Sequence, residues 1–266
     1  MASTPDIIDH EIIGEDLQGV VITLDPGEAV VAEAGAMMFM DDGVDMATQL
    51  SMSEGKGLFG KLFEAGKRAV MGESFFITYF ANNAHDRRKV AFAAPYPGRV
   101  LPVELGDYNG TLIAQKDCFL CGARGVTVDI AFQKRIGVGL FGGEGFIMQR
   151  IASPAGRGQA FLHAGGTLIQ RVLKPGERLK VDTGCIVAFT QGVDYDIQTV
   201  PGIKNKLFGG EGLFFAVLTG PGTVWLQTMP FSRLCDRIFA AAPSHGGSAQ
   251  GEGSVLGGLG RILDGD

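Results

Sequence analysis

The chain has 266 residues, a net charge of −6 and four cysteines. This length allows one large β domain or two smaller ones, with a core large enough to need no disulfide or metal for stability. The acidic balance argues against duplex DNA as a partner, because a duplex-binding surface is usually basic, and no apolar run approaches the 18 or so residues of a membrane-spanning helix.

The N-terminal segment, residues 1–16, is acidic and lacks an apolar stretch. It resembles neither a secretory signal peptide nor an Arg-rich mitochondrial transit peptide. The four cysteines, at positions 118, 121, 185 and 235, are therefore expected to be reduced thiols in a cytoplasmic protein.

Glycine is unusually abundant: 41 of the 266 residues, about twice the usual share of roughly 7%. The glycines mostly separate short runs rich in Val, Ile, Phe and Thr. This pattern predicts a mainly β protein with many short strands and tight turns rather than a low-complexity chain.

Two segments of the chain, 24–46 and 173–195, share one pattern of turns. In each, a second glycine lies nine residues after the proline of a Pro-Gly turn, and a third glycine lies eight residues further on. A middle copy is looser: an Asn-Gly dipeptide at 109–110 replaces Pro-Gly, and Asp117 lies eight residues before Gly125. Such matched spacings predict internal repeats.

A second landmark follows each first one. Gly-Glu dipeptides lie at 72–73, 143–144 and 210–211, and a strand-like run follows each. Segments 58–70 and 230–242 instead have the apolar spacing of helices. We therefore predict three diverged antiparallel β-sandwich repeats in a pseudo-threefold arrangement, with a short insertion helix and a C-terminal helix.

The predicted organisation is a single β domain followed by a tail. Its three repeats need one another, because each alone would leave open sheet edges. The boundaries are 1–243 for the domain, about 7–93, 94–164 and 165–228 for the repeats, 230–242 for the C-terminal helix, and 244–266 for a flexible Gly/Ser-rich tail.

A family resemblance rests on Glu33-Ala-Gly-Ala-Met-Met, Gly72-Glu-Ser-Phe-Phe, Phe119-Leu-Cys-Gly, and the Phe-Gly-Gly-Glu-Gly segments that begin at Phe141 and Phe208. Over about residues 7–240 the chain resembles bacterial, uncharacterised relatives of the AIM-type (altered inheritance of mitochondria) proteins. The resemblance implies a fold like that of the trp RNA-binding attenuation protein, with small antiparallel sandwiches about a threefold pseudo-axis. It implies no activity, and it carries over no catalytic residue.

The Gly-Glu turns are the most distinctive polar positions, one in each predicted repeat. In one interpretation, each carboxylate accepts hydrogen bonds from amides of its own turn. In the other, three equivalent acids surround the pseudo-axis as a cation site or an interface, where their repulsion requires a counter-ion. The candidate binding residues are Glu73, Phe141, Gly143, Glu144, Phe208, Gly210 and Glu211.

The motifs of enzymes, metal sites and cofactor sites are weak or missing. A G-x-G-x-x-G match at 137–142 continues into a β pattern, whereas pyrophosphate binding requires a helix N-terminus. Cys118 and Cys121 form a C-x-x-C without the second pair that zinc usually needs, and they are interpreted as small core residues. The sequence therefore predicts no catalysis, no cofactor and no metal.

The leading hypothesis is a non-catalytic oligomeric scaffold or binding protein that acts through its Gly-rich loops on a protein partner. We expect a homo-oligomer whose contacts include Phe141 and Phe208, since an aromatic side chain on a glycine-rich turn favours a partner surface. Lys134 and Lys204, near these loops, leave single-stranded nucleic-acid binding as an alternative. A small-ligand binder or enzyme with a cleft between repeats is a further alternative.

Overall fold

The computed structural model of the chain describes residues 5–50, 76–134, 146–199 and 214–241. Within these ranges the chain forms nineteen β-strands and one α-helix. They are β1 (Asp9–Ile13), β2 (Gly19–Leu24), β3 (Ala29–Glu33), β4 (Met37–Met40), β5 (Val44–Leu50), β6 (Phe76–Asn82), β7 (Arg88–Ala93), β8 (Gly98–Glu104), β9 (Thr111–Gln115), β10 (Phe119–Ala123), β11 (Thr127–Lys134), β12 (Phe146–Ala152), β13 (Gln159–Gly165), β14 (Leu168–Leu173), β15 (Arg178–Asp182), β16 (Ile186–Thr190), β17 (Asp194–Thr199), β18 (Phe214–Thr219), β19 (Gly222–Gln227) and α1 (Phe231–Ala241).

The strands form four sheets, and all the strand pairs within them are antiparallel. Sheet I has the order β1-β2-β7-β4, sheet II β5-β6-β3-β10-β13-β8, sheet III β11-β12-β9-β16-β19-β14, and sheet IV β15-β18-β17. Sheet II is continuous because β3 pairs with β10, and sheet III because β9 pairs with β16. The mainly β fold predicted from the sequence is confirmed.

Pro-Gly turns follow β2 and β14. Gly27 and Gly176 have positive φ angles of 84° and 74°, which glycine adopts without steric cost. The carboxylates of Glu28 and Glu177 each accept a hydrogen bond from the backbone amide three residues earlier, at 2.8 and 2.9 Å. Each glutamate therefore closes the turn that its glycine makes sterically accessible.

Three apolar layers lie between successive sheets. Phe80 of sheet II meets Phe92 of sheet I edge to face, with ring centroids 5.2 Å apart. Leu162 of sheet II and Trp225 of sheet III belong to the second layer. The third layer joins sheets III and IV and contains the fully buried Leu218. Because sheets II and III contribute to a layer on each side, many of their strands are apolar throughout rather than alternating.

Single 3-10 turns occur where the sequence carries its first landmark, at Ala34–Ala36, Lys116–Cys118 and Thr183–Cys185. The strands that follow them are β4, β10 and β16. Each of these strands has a β-bulge near its start, where its register with the neighbouring strand shifts. A bulge bends a strand and changes the direction of its side chains, so these three segments share a local geometry.

The helix predicted over 230–242 is confirmed as α1. The described chain up to Leu234 forms one compact unit, and Cys235–Ala241 belong to a second. The predicted insertion helix at 58–70 and the predicted tail at 244–266 lie outside the described residues. Across the described ranges, no helix is long and apolar enough to cross a membrane.

Candidate interaction site

The binding residues predicted from the sequence all fall outside the described ranges. They are Glu73, Phe141, Gly143, Glu144, Phe208, Gly210 and Glu211. The structure does describe the strands that follow them: β6, β12 and β18, each of which lies between two neighbours in its sheet. The three Gly-Glu segments thus each precede an inner strand of a sheet. Their role as a binding site remains a prediction.

An aromatic cluster surrounds Tyr96, in the loop between β7 and β8. The ring of His163, on β13, lies edge-on to Tyr96 with centroids 4.5 Å apart. Phe231, the first residue of α1, lies on Tyr96 at 5.1 Å. His163 is 2% exposed, so this imidazole is enclosed by the protein and cannot meet a substrate in solution.

Burial sets the protonation state of this cluster. It lowers the pKa of His163 to about 4, although the backbone of Tyr96 lies close enough to oppose the shift. Burial also raises the pKa of the Tyr96 hydroxyl, and Cys118, Asp117 and Glu33 raise it further. Both rings are therefore neutral at pH 7, which suits packing rather than proton transfer.

A buried amide ties three segments together beside the cluster. Gln227 donates to the carbonyl of Gly184 at 2.8 Å and accepts from the amide of Gly165 at 2.7 Å. The carboxylate of Asp182, at the end of β15, accepts from Gly184 at 3.0 Å and from Arg233 at 2.8 Å. The amide and the carbonyl of Gly184, in the 3-10 turn after β15, thus both have hydrogen-bond partners.

The two cysteines of the C-x-x-C motif lie in the core. Cys118 and Cys121 are buried, and burial raises the pKa of each thiol, so neither is a ready thiolate. Their interpretation as small core residues is confirmed. In the described parts of the chain, no three or more His, Cys, Asp or Glu side chains lie together in a way that could hold a metal ion.

The outer edge of β4 is the most apolar exposed surface on a described strand. Sheet I ends at β4, which has β7 as its only neighbour in the described sheet. Met38, Phe39 and Met40 are 53%, 44% and 38% exposed. We call these three residues the β4 edge. On an ordinary sheet edge, charged side chains or proline discourage pairing, and the β4 edge has neither.

A second open edge lies at β15, which ends sheet IV. Its side chains Arg178 and Lys180 are exposed, Leu179 is half-buried and Val181 is buried. We call Arg178, Leu179 and Lys180 the β15 edge. Sequence reasoning missed both edges. The run Met37–Met40 marks the β4 edge in the sequence. Four large apolar residues without alternation resemble a buried strand, however, so the exposure of this edge was not predicted.

A family model described as "Mitochondrial biogenesis AIM24" matches residues 10–229. The chain belongs to the AIM24 family. An uncharacterized protein of Streptococcus pyogenes serotype M6 is 29% identical to it over 226 residues, which cover 85% of this chain and 87% of that protein. This family member therefore matches its bacterial relative over most of both lengths, and the predicted resemblance to uncharacterised bacterial AIM-type proteins is confirmed.

The fold is also similar to a solved structure. The X-ray crystal structure of a second Streptococcus pyogenes protein superposes with a TM-score of 0.68 at 22% sequence identity. The match covers 89% of the AIM24-family chain and all of the other protein. At this identity the likeness concerns the fold alone.

Proposed function

We propose that this AIM24-family chain is a non-catalytic oligomeric scaffold or binding protein, built from three copies of one six-stranded unit. The units would be β2–β7, β8–β13 and β14–β19, with β1 as an addition to the first. In this assignment the first, sixth and third strands of a unit pair in one sheet, as β2-β7-β4, β8-β13-β10 and β14-β19-β16. The other three strands pair as β3-β6-β5, β9-β12-β11 and β15-β18-β17.

The observation that carries the proposal is the way in which sheets II and III are joined. Each is completed by pairing the second strand of one proposed unit with the third strand of the next, through β3–β10 and β9–β16. Edge-to-edge pairing is thus the means by which like units associate within the chain. A protein assembled in this way is suited to associating further by the same contact.

The environment of the reactive side chains also supports a non-catalytic role. His163 is enclosed, neutral and packed against Tyr96. The thiols of Cys118 and Cys121 are buried with raised pKa values. A general base or a nucleophile must reach its substrate within hydrogen-bond distance, and these groups instead contribute to packing.

Native mass spectrometry, combined with sedimentation velocity over a range of concentrations, tests the proposal. We expect masses that are multiples of the 28.1 kDa chain, with no additional mass from a retained cofactor. A single 28.1 kDa species at every concentration would refute the oligomer. A stoichiometric small molecule that remains bound would instead refute the absence of a cofactor.

A further inference from the structure

We propose that the β4 edge of one copy pairs with the β15 edge of a second copy, as antiparallel strands with Phe39 opposite Val181 and Met40 opposite Lys180. This inference rests on the proposed homo-oligomer and names its interface. The contact would join sheet I of one copy to sheet IV of the next as a seven-stranded sheet, in which six strands belong to the proposed units and the seventh is the added β1. Sheets II and III already have six strands each.

The two open edges match the strands that pair inside the chain. β10 and β16 each follow a 3-10 turn, begin with a bulge and pair with the second strand of the preceding proposed unit. β4 also follows a 3-10 turn and begins with a bulge. β15, like β3 and β9, immediately precedes such a turn. Among the strands of the described structure that flank a three-residue 3-10 turn, β4 is therefore the one strand after such a turn, and β15 the one strand before such a turn, that lacks a partner on its outer edge.

The internal junctions define the register of the inferred contact. Cys121 lies opposite Ala32 in sheet II, and Ala188 lies opposite Ala114 in sheet III. Cys121 and Ala188 are each the third residue after their 3-10 turn, and in β4 this position is Phe39.

The partners at these junctions, Ala32 and Ala114, are each the second residue before the turn. In β15 this position is Val181. The same register places Met40 opposite Lys180 and Asp42 opposite Arg178.

The β4 edge is far more exposed to solvent than the strands at the internal junctions. At the internal junctions the equivalent side chains are buried: Leu120 and Phe189 are 2% exposed, and Cys121 is fully buried. At the β4 edge, Phe39 is 44% exposed and Met38 is 53% exposed. Antiparallel pairing along this edge would remove apolar surface from water, and it would satisfy backbone groups that an edge strand leaves open.

The two edges carry opposite charges. Asp41 and Asp42 follow β4, whereas β15 carries Arg178 and Lys180. In the inferred register Asp42 lies opposite Arg178 and diagonal to Lys180, an arrangement that stabilises strand pairs. The charges thus favour the inferred register of β4 with β15.

The contact is assigned to two copies because, within the described residues, no backbone ladder joins β4 to β15 of the same chain, and most side chains of both edges are exposed to solvent. A contact between two different surfaces is heterologous, so each added copy leaves one free edge of each kind until a ring closes. Lys180 is consistent with this arrangement. A lysine on a free edge strand discourages pairing with unrelated strands, and its charge attracts Asp41 and Asp42 of the second copy.

Disulfide trapping between two different variants tests the inference. Cys185 and Cys235 are first replaced by serine, and Met40→Cys and Lys180→Cys are then placed in separate chains. Any crosslink between the two variants must be intermolecular. Directly opposed strand residues lie within the Cα–Cα range that a disulfide can bridge. We expect the mixed 40–180 dimer to exceed either homodimer by at least about tenfold after mild oxidation, as peptide mass spectrometry would show.

Val172 provides a matched control because it is 68% exposed on β14, which is also an edge strand. Val172→Cys mixed with Met40→Cys should give only background crosslinking. A 40–172 yield equal to the 40–180 yield would overturn the inference, as would the absence of a 40–180 dimer. If Met40→Cys and Lys180→Cys in one chain gave an intrachain disulfide in a monomer, the strands would pair within the chain and the inference would also fail.

Charge reversal separates this interface from the proposed oligomer itself. Asp42→Lys should weaken self-association by about threefold or more, and Arg178→Asp in the same chain should restore it. Circular dichroism checks that both variants stay folded. A wild-type monomer would refute both the proposed function and this inference. A wild-type oligomer that neither crosslinks at 40–180 nor responds to Asp42→Lys would refute this inference alone.

Discussion

The backbone of Gly98 lies directly against the ring of His163. A Cβ atom added at Gly98 would fall 2.7 Å from Cε1 of His163 and closer still to the carbonyl oxygen of Ala164. The imidazole itself is held by Tyr96 on another side. The glycine therefore makes room for a buried histidine at a point where β8 and β13 pair.

Gly98→Ala should lower the free energy of unfolding by about 1–3 kcal/mol, because the new methyl group overpacks a site formed partly by backbone. Gly35→Ala is the matched control, since no atom lies within 4 Å of the added Cβ at Gly35 and its φ is not positive. The control should stay within about 0.5 kcal/mol of wild type. Urea denaturation measures both variants, and equal effects would contradict the role given to Gly98.

His163 should make the protein less stable in acid. Its pKa is lowered to about 4 in the folded state, from an ordinary value of 6.5. The unfolded chain therefore binds the proton first, so the contribution of the neutral ring is complete above pH 6.5 and is lost as the pH falls towards 4. Between pH 7 and pH 4, wild type should lose up to about 3 kcal/mol more than His163→Gln.

Denaturation series at each pH measure this difference, and the acid sensitivity of the carboxylates is common to both proteins. An NMR titration provides an independent check through the imidazole signal. A midpoint near 6.5 for His163, or parallel stability profiles for the two proteins, would show that burial does not govern this residue.

Gln227→Leu should destabilise the protein by about 2–4 kcal/mol. The substitution leaves the buried carbonyl of Gly184 and the amide of Gly165 without their hydrogen-bond partner. Gln170→Leu is the control, because Gln170 is exposed on β14. Thermal unfolding should show a large decrease in Tm for the first variant and almost none for the second. A similar Tm for both would mean that the buried amide contributes little.

Cys118 and Cys121 should resist alkylation in the folded protein. Both are buried, and their raised pKa values keep the thiols protonated at pH 7. Iodoacetamide followed by peptide mass spectrometry should show modification of these two residues at least about tenfold slower than that of the half-buried Cys235. In urea the difference should disappear. Rapid native labelling of Cys118 would point to a reactive thiol and against the core interpretation.

The Gly-rich segments that carry Phe141 and Phe208, predicted from the sequence to be loops, would provide a second contact. If these rings touch a neighbouring copy, the double variant Phe141→Ser/Phe208→Ser should remain folded by circular dichroism but sediment as a smaller species. The reason is that exposed aromatic side chains are common anchors of interfaces. An unchanged mass with an intact fold would reject the contact, whereas loss of the fold would indicate that each ring packs inward on its own sheet.

Much of the fold could be predicted from local sequence. Gly27 and Gly176 form Pro-Gly turns at the predicted positions. These turns were predictable because a backbone with positive φ strongly favours glycine, which is therefore visible in the sequence. The helix α1 was predicted from one apolar stripe next to a proline. The 3-10 turns at Ala34–Ala36 and its counterparts were not predicted, because three residues are too few to produce a helical period.

The candidate site was less accessible to sequence reasoning. Phe39 is exposed and Cys121 is buried, yet both belong to short apolar strands of similar sequence character. The difference arises from the neighbouring strand, which for Cys121 includes the distant Ala32 and has no local signature in the sequence. The bonds of Gln227 were unpredictable for the same reason, since Gly184 and Gly165 lie 43 and 62 residues away.

The junction between β3 and β10 also has a consequence during translation. Ala32 pairs with Cys121, so at synthesis rates of about 5–20 residues per second the ribosome needs roughly 5–20 s to supply the missing strand. Throughout that interval β3, with the sequence AVVAE, has an unpaired edge on the nascent chain. An unpaired strand edge is a template for pairing with another chain. A ribosome that stalls between β7 and β10 should therefore yield aggregates, whereas one that stalls after β13 should yield a chain in which sheet II is already complete.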